Sequence, residues 1–289
     1  MKRLIVLLGV AGASLSAVFV RCATAPSAVL VFYRVLFATC MLFPAVWVKH
    51  RAELRALTWD KVAMSLLSGV FLGFHFAAYF ESLRFTSIAS AVVLVDTEVF
   101  FVALGSLLFL KRKVSPKAWV AIFLTFAGSV VVAMADTAAG SDALRGDILA
   151  LVGALLMAFY TLIGAKMRKD VSTTVYTFLV YLSAALTMAA VTAVQGISFA
   201  GHGAINYLAA LGLAVFSTLL GHSVFSWGLK YLPPAFISTV KLMEPVFATV
   251  WGVLIFSEIP ALTVVLGGAV IIAGIAFYSR VAAKENNEE

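Results

Sequence analysis

Ten apolar stretches, each long enough to cross a bilayer, run from Leu4 to Tyr278 with short polar joints between them. A spanning helix needs roughly 20 mostly apolar residues to cover about 30 Å of hydrocarbon. The spans are read at 4–21, 28–48, 62–82, 87–109, 118–135, 148–166, 174–194, 207–229, 234–256 and 261–279. With 63% hydrophobic residues, 12% charged ones and a mean hydropathy of +1.05, no segment remains to build a soluble domain. The expected product is an all-α polytopic membrane protein in contact with lipid over most of its surface.

An even number of spans puts both termini on one side, and the positive-inside rule chooses which. With a cytoplasmic N-terminus the inner loops hold 16 of the 21 Lys and Arg, while the outer loops keep only Arg21, Arg84 and Arg145. Both termini are therefore assigned to the cytoplasm, with 281–289 a polar cytoplasmic tail, and the membrane is the inner one. The formal charge of +7 reflects this bias. A nucleic-acid footprint would need a basic patch on a solvated domain, so no nucleic acid is expected as a partner. Lys2, Arg3, an apolar run and small residues from Gly12 to Ser16 also fit a signal peptide. Cleavage there would leave an odd span count and spoil the charge bias. Cys22 and Cys40 are too few for a disulfide framework, and nothing beside them suggests a metal or a nucleophile.

The chain repeats itself weakly. Shifted by about 147 residues, Leu72–Phe109 falls on Leu219–Phe256, so that His75 meets His222 and Val99-Phe100 meets Val246-Phe247. Leu83-Arg84-Phe85 matches Leu229-Lys230-Tyr231 at an offset of 146, which requires one inserted residue, placed at Pro233-Pro234. Two repeats follow, 1–140 with spans one to five and 146–280 with spans six to ten. Five is odd, so the second repeat enters the membrane upside down. Inverted repeats are a transporter architecture with the substrate site near mid-membrane. A duplicated helical bundle without a pathway is the plainer alternative, and it gains nothing from charges inside the membrane.

Such charges are present: Arg34, Asp96, Glu98, Lys241 and Glu244, with His75 and His222. Each costs about 2.5–3.5 kcal/mol near the bilayer centre, so such residues usually face a cavity or a partner. On a continuous helix Ser87, Ala91, Leu94, Glu98 and Gly105 share a face of span four, with Asp96 about 200° from Glu98. In span nine Ser238, Lys241, Pro245, Ala248 and Gly252 share a face, with Glu244 about 60° from Lys241. The repeat sets Glu98 on Pro245. One reading makes Lys241 an anchor for a substrate carboxylate and Glu98 an anchor for an ammonium or a proton. The other makes them a buried ion pair fixing helix register, or bridges Lys241 to Glu244 one turn away. Asp96, facing away, is read as structural, and Arg34 as a plausible partner for the acids.

His75 shares a stripe with Ser68, Tyr79 and Ser82, and His222 one with Thr218 and Ser226. Either histidine can be a packing residue or a site residue. No His or Cys pair has ligand spacing on one helix, so neither a metal nor any other cofactor is expected. Pro245 should bend span nine beside Lys241 and Glu244. Tyr79, Tyr160 and Trp227 are the aromatics placed near a pathway. Gly267-Gly268 with Ala269, Ala273 and Gly274 suggest a tight helix contact, internal or between copies, so monomer and homodimer stay open.

The residues Ser16-Ala17-Val18-Phe19-Val20-Arg21, Ala25-Pro26, Tyr33-Arg34 and His75-Phe76-Ala77 carry a family resemblance, as do Ser82-Leu83-Arg84-Phe85-Thr86-Ser87. Gly221-His222, Leu229-Lys230-Tyr231 and Glu244-Pro245-Val246 continue it in the second half. Over its whole length the chain resembles the drug/metabolite transporter superfamily, in the branch built from two five-helix EamA repeats. It departs from that pattern at Glu98, where the first repeat usually has a proline, and at Lys111, where a glutamate is usual, although the second copy keeps Glu258. The resemblance implies a secondary carrier working by alternating access. Its cavity would be lined by spans one to four and six to nine, with five and ten peripheral. No glycine-rich phosphate loop points to an ATP motor.

The functional expectation is a carrier for a small zwitterionic metabolite such as an amino acid, exporting on family habit and proton-coupled through Glu98 or Glu244. The alternative is an organic-cation or drug efflux carrier using Glu98, Asp96 and Glu244. A membrane-embedded enzyme or structural subunit is the remote third class. Intramembrane hydrolysis needs a nucleophile or metal with a positioned base, and Asp96 and Glu98 lack a partner motif.

Overall fold

The structure, a computed structural model, describes residues 1–82, 85–86, 88–134, 143–257 and 259–288. Leu83, Arg84, Ser87 and Glu258, named above, lie outside the described residues, as does the joint 135–142. Among the described residues every regular element is a helix. In chain order these are α1 (Lys2–Ser14), α2 (Ser16–Arg21), α3 (Ser27–Lys49), α4 (Arg51–Ala56), α5 (Trp59–Ser82), α6 (Ile88–Asp96), α7 (Glu98–Leu110) and α8 (Pro116–Ala133). There follow α9 (Ala143–Met167), α10 (Thr173–Val194), α11 (Ala204–Gly212), a π-helix (Leu213–His222), α12 (Ser223–Gly228), α13 (Pro234–Lys241), α14 (Glu244–Phe256) and α15 (Leu262–Glu288). Among the described residues nine continuous or stacked helical segments are long and apolar enough to cross a membrane, and Pro116–Val132 is a shorter apolar helix. The protein is thus a multi-pass membrane protein.

Local chemistry sets the helix ends. Ser115 accepts a hydrogen bond from the Ala118 N–H and Pro116 opens the first turn, which needs no N–H of its own. Ser172 caps α10 the same way, through the Val175 N–H. α7 stops on Lys111 and α14 on Ser257, both left-handed at φ 54° and 55°. The Arg112 N–H reaches back to the Ser106 carbonyl and closes the α7 terminus.

Cross-helix contacts join the helix ends in two sets, in keeping with spans that alternate in direction. At one end, the terminal end, Arg3 bonds the Ser279 carbonyl, Lys61 pairs with Asp170 at 3.1 Å, and Glu53 accepts from the Ser172 N–H at 2.6 Å. At the far end Thr86 donates to Asp147 at 2.7 Å, and the Asn206 side chain accepts from the backbone N–H groups of Thr24 and Ala25. The interior divides into two large apolar clusters. One joins α1, α7, α8, α13 and α15 through residues such as Val6, Val99, Ile122, Phe236 and Ile271. The other joins α3, α5, α9 and α10 through Val31, Leu72, Tyr176 and Val180. The predicted tight contact of the last span is internal. Gly267 meets the Gly128 backbone and Gly274 meets Thr125, so a Cβ at any of the three glycines would press on backbone at 3 Å or less.

Two expectations need correction. Spans four and nine are each two helices: span four breaks at Thr97 and span nine at Leu242-Met243. The register of the repeat also changes. α6 and α13 start 146 residues apart, as do α7 and α14, and both of the latter run 13 residues to a left-handed end. Glu98 therefore corresponds to Glu244, and Pro245 falls on Val99. The extra residue of the second copy belongs to span eight, Ala204–Gly228, which has 25 residues against the 24 of Trp59–Ser82 and contains the π-helix. A π turn absorbs an insertion without turning the flanking helix faces far.

Candidate functional site

The break at Thr97 builds the site. Its hydroxyl donates to the Leu94 carbonyl at 2.5 Å and its N–H to the same oxygen, which tightens the turn before α7 begins on Glu98. The turn cancels the 200° separation expected on a continuous helix. Asp96 and Glu98 both line one cavity, which corrects the reading of Asp96 as facing away. The cavity holds about 370 Å³ and is also lined by Arg34, His75, Tyr79, His222, Lys241, Glu244 and Pro245.

Within it Glu98 is fully engaged. Lys241 Nζ lies 2.5 Å from Oε2, while Oε1 accepts from Thr161 Oγ1 at 3.1 Å and Ser238 Oγ at 3.0 Å. The two residues expected to offer opposite charges to a substrate neutralise each other instead, across α7 and α13, in keeping with the ion-pair reading. The remaining charges are less constrained. Asp96 accepts from Ser129 Oγ at 2.6 Å. Arg34 donates Nε–H to Thr218 Oγ1 at 2.7 Å and lays its guanidinium over Phe76 at 4.2 Å, with no carboxylate paired to it among the described residues. Glu244 opens α14, half-buried, with no hydrogen bond or ion pair among the described residues. Pro245 follows it in the first turn, where the missing N–H costs nothing, so the chain bends between Lys241 and Glu244 at two turn residues.

The histidines differ. His75 Nδ1 bonds the Gly153 carbonyl at 2.9 Å and its ring stacks on Tyr79. His222 Nδ1 is buried without a partner, its ring edge-on to Phe76 and Phe225. Ser226 sits behind the cavity wall, sharing a hydrogen bond with Tyr160 Oη at 3.1 Å while its carbonyl accepts from Arg168 Nε–H at 3.0 Å. Tyr160 and Trp227 likewise do not line the cavity; Trp227 packs on Tyr231.

Several lining residues escaped the sequence reading. Ser14, Ser16 and Phe80 carry no charge to mark them. Ser129 and Val132 come from α8, so span five is part of the wall rather than peripheral, and span seven contributes no lining residue. A serine on a mostly apolar helix was the available clue for Ser129.

Along the spans, Ser14, Ser16, Tyr79, Phe80, Val92, Val132 and Ala248 all lie in the halves toward the far end. The cavity thus extends from mid-depth toward the far end. The terminal end is shut by the Glu98–Lys241 pair and the apolar cluster of Val6, Val10, Leu229, Phe236, Ile237 and Val240.

An uncharacterized transporter of Archaeoglobus fulgidus is 27% identical over 252 residues, covering 85% of each chain. The pseudopaline exporter CntI of Pseudomonas aeruginosa is 24% identical over 261 residues, covering 89% of this chain and 88% of its own. A crystal structure 17% identical matches with a TM-score of 0.82 over 98% of both chains, which establishes a common fold. The pattern of the EamA-like transporter family matches residues 2–134 and again 144–280. The chain is a multi-pass membrane protein that belongs to the EamA-like transporter family.

Proposed function

We propose that the protein is a secondary carrier of the inner membrane that exports a small zwitterionic metabolite, an amino acid or a relative, by alternating access. The reading takes the ten apolar helices as two repeats, 1–140 and 146–280, inserted in opposite senses, with both termini and the tail 281–289 in the cytoplasm. The terminal end is then cytoplasmic and the cavity faces outward. One observation carries the substrate class: one small cavity holds a guanidinium, Arg34, and a carboxylate, Glu244, that have no ion-pair partner among the described residues. Its volume of about 370 Å³ is near the lower end of small-molecule pockets, which run from about 300 to 1,000 Å³. Arg34 receives the cargo carboxylate and Glu244 its ammonium. His222, with its free Nδ1, and Tyr79 supply neutral contacts. Glu98 and Lys241 hold the cytoplasmic side closed and separate when it opens, which is where either can touch the cargo. A relative that bears the name of an exporter supports the outward direction.

A second reading, an organic-cation efflux carrier, has its own support. Once Glu98 and Lys241 cancel, two carboxylates, Asp96 and Glu244, face one Arg34. The deciding experiment is thermal stabilisation of the purified protein by amino acids, polyamines, quaternary ammoniums and organic acids, repeated with Arg34→Gln and Glu244→Gln. A shift by zwitterions lost in both variants supports the first reading. A shift by cations that survives Arg34→Gln supports the second. A shift confined to organic acids refutes both.

A further inference from the structure

The stretches Ile88–Lys111 and Pro234–Ser257 are two copies of one device. Each starts a short helix, breaks it, restarts on a glutamate and ends on a left-handed residue, at a constant offset of 146. The copies are chemically unequal where it matters. At the closed terminal end Glu98 of α7 receives Lys241 and Ser238, both from α13. Carried through the offset, Glu244 of α14 meets α6, with Val95 in the place of Lys241 and Val92 in the place of Ser238. Both valines already line the cavity.

Alternating access, the reading on which this inference rests, closes the far end by packing α6 on α14 as α13 now packs on α7. That closure buries Glu244 against valines, with the Ser14 and Ser16 hydroxyls on the cavity wall bringing donors but no charge. A carboxylate desolvated without a cation is strongly disfavoured even where a hydroxyl donates to it. We propose that Glu244 is the coupling site: it must take up a positive charge, a proton or the ammonium of a cargo, before the far end can close. Glu98 needs no such ligand, because its cation is built into the chain.

The titratable groups around Glu244 do not supply that charge. They are Lys241 beside it, Glu98 and Asp96 from span four, Arg34 from span two, Tyr79 and His75 from span three, and His222 from span eight, the two histidines being set against the Gly153 carbonyl and the Phe76 and Phe225 rings. Among the described residues α1 and α2 lend the cavity Ala13, Ser14 and Ser16, and α15 lends none. Lys241 is held by Glu98, and Arg34, though its charge is uncompensated, is anchored on Thr218 and Phe76 and makes no ion pair with Glu244 among the described residues. Asp96 takes the place of the buried Leu242 and is also covered on closing, but it keeps the Ser129 donor. In an exporter, protons arriving from outside would then drive the empty carrier back toward the cytoplasm.

The test reads closure directly. In a Cys40→Ser background, Ala248→Cys reports from the cavity and Cys22, exposed at the far end, serves as the reference thiol. Proteoliposomes are treated with a membrane-impermeant maleimide without cargo between about pH 8 and pH 5. The Ala248→Cys rate relative to Cys22 should fall severalfold as pH drops. Glu244→Gln should hold that ratio low at every pH, and Val95→Lys, which restores the missing cation, should do so at high pH. A fall with pH alone assigns the charge to a proton, and a fall at high pH only on adding an amine cargo assigns it to the ammonium. The proposal is overturned if Glu244→Gln keeps the wild-type response, if Asp96→Asn, His75→Gln or His222→Gln abolishes the response instead, or if Arg34→Gln prevents closure at every pH. A wrong substrate class would show in the stabilisation panel and leave this pH response untouched.

Discussion

Removing one member of the Glu98–Lys241 pair should cost the fold more than removing both. The side chains are 7% and 10% exposed and 2.5 Å apart, so Lys241 is solvated mainly by Glu98, and Glu98 by Lys241 and two hydroxyls. Breaking a buried pair by deleting one partner typically costs about 3–5 kcal/mol, because the survivor is left as an uncompensated charge. The structure ranks the variants within that range. Lys241→Met leaves a carboxylate that keeps Thr161 and Ser238 as donors, which places it near the lower end. Glu98→Ala leaves an ammonium with no hydrogen-bond acceptor and only longer-range company, the Phe225 ring at 5.9 Å and the Glu244 carboxylate, which places it near the upper end. The double variant Glu98→Gln/Lys241→Met removes both charges yet keeps an acceptor for the two hydroxyls. It should fall at least about 2 kcal/mol short of the sum of its single variants. Detergent-solubilised protein titrated with SDS and followed by tryptophan fluorescence gives the four stabilities of the cycle. Single-variant costs that add to within about 0.5 kcal/mol would mean the two charges are solvated independently by water, and the account of a closed, dry terminal end would fail.

Three further outcomes follow from the packing. Gly128→Val should push α8 off α15, since a Cβ there would sit 2.8 Å from the Gly267 carbonyl and from Ile271, and a loss of about 1–3 kcal/mol should appear in the same titration. Asn206→Ala should strip the acceptor that holds the Thr24 and Ala25 N–H groups and cost about 1–3 kcal/mol, with faster hydrogen exchange at those two amides. Burial alone would raise the Glu53 carboxyl, but hydrogen bonds from the Ser172 hydroxyl and N–H and from His50 outweigh it and hold the group below its ordinary value. Its contribution is complete above the unfolded carboxylate value and is lost as pH falls through the lower folded one. The stability difference between wild type and Glu53→Gln should therefore vanish in acid and be full at neutral pH.

The spans were legible because apolar length is a local property of the chain and a bilayer demands it at every crossing. The intramembrane charges could be counted for the same reason, and all five do line one cavity. Their pairing was not legible. The break at Thr97 has no proline or glycine to announce it, so a continuous-helix reading turned Asp96 away from Glu98. At the matching place in the second copy Pro245 did announce a bend. The repeat misled at one point: identities such as Val99-Phe100 with Val246-Phe247 run at an offset of 147, whereas the helix ends run at 146, and apolar helices produce chance identities easily. Ser129 and Ser16 were overlooked because a serine in a span marks nothing until its neighbour is known.

The amino-acid sequence by itself determined the class, the helices and the family, since hydropathy, charge bias and turn residues act through neighbours a few positions away. Only the tertiary structure decided that Glu98 spends its charge on Lys241 while Glu244 keeps its own. That outcome depends on which half-helices meet at the closed end of the cavity, and contacts between residues 143 positions apart leave no trace in either residue's local surroundings.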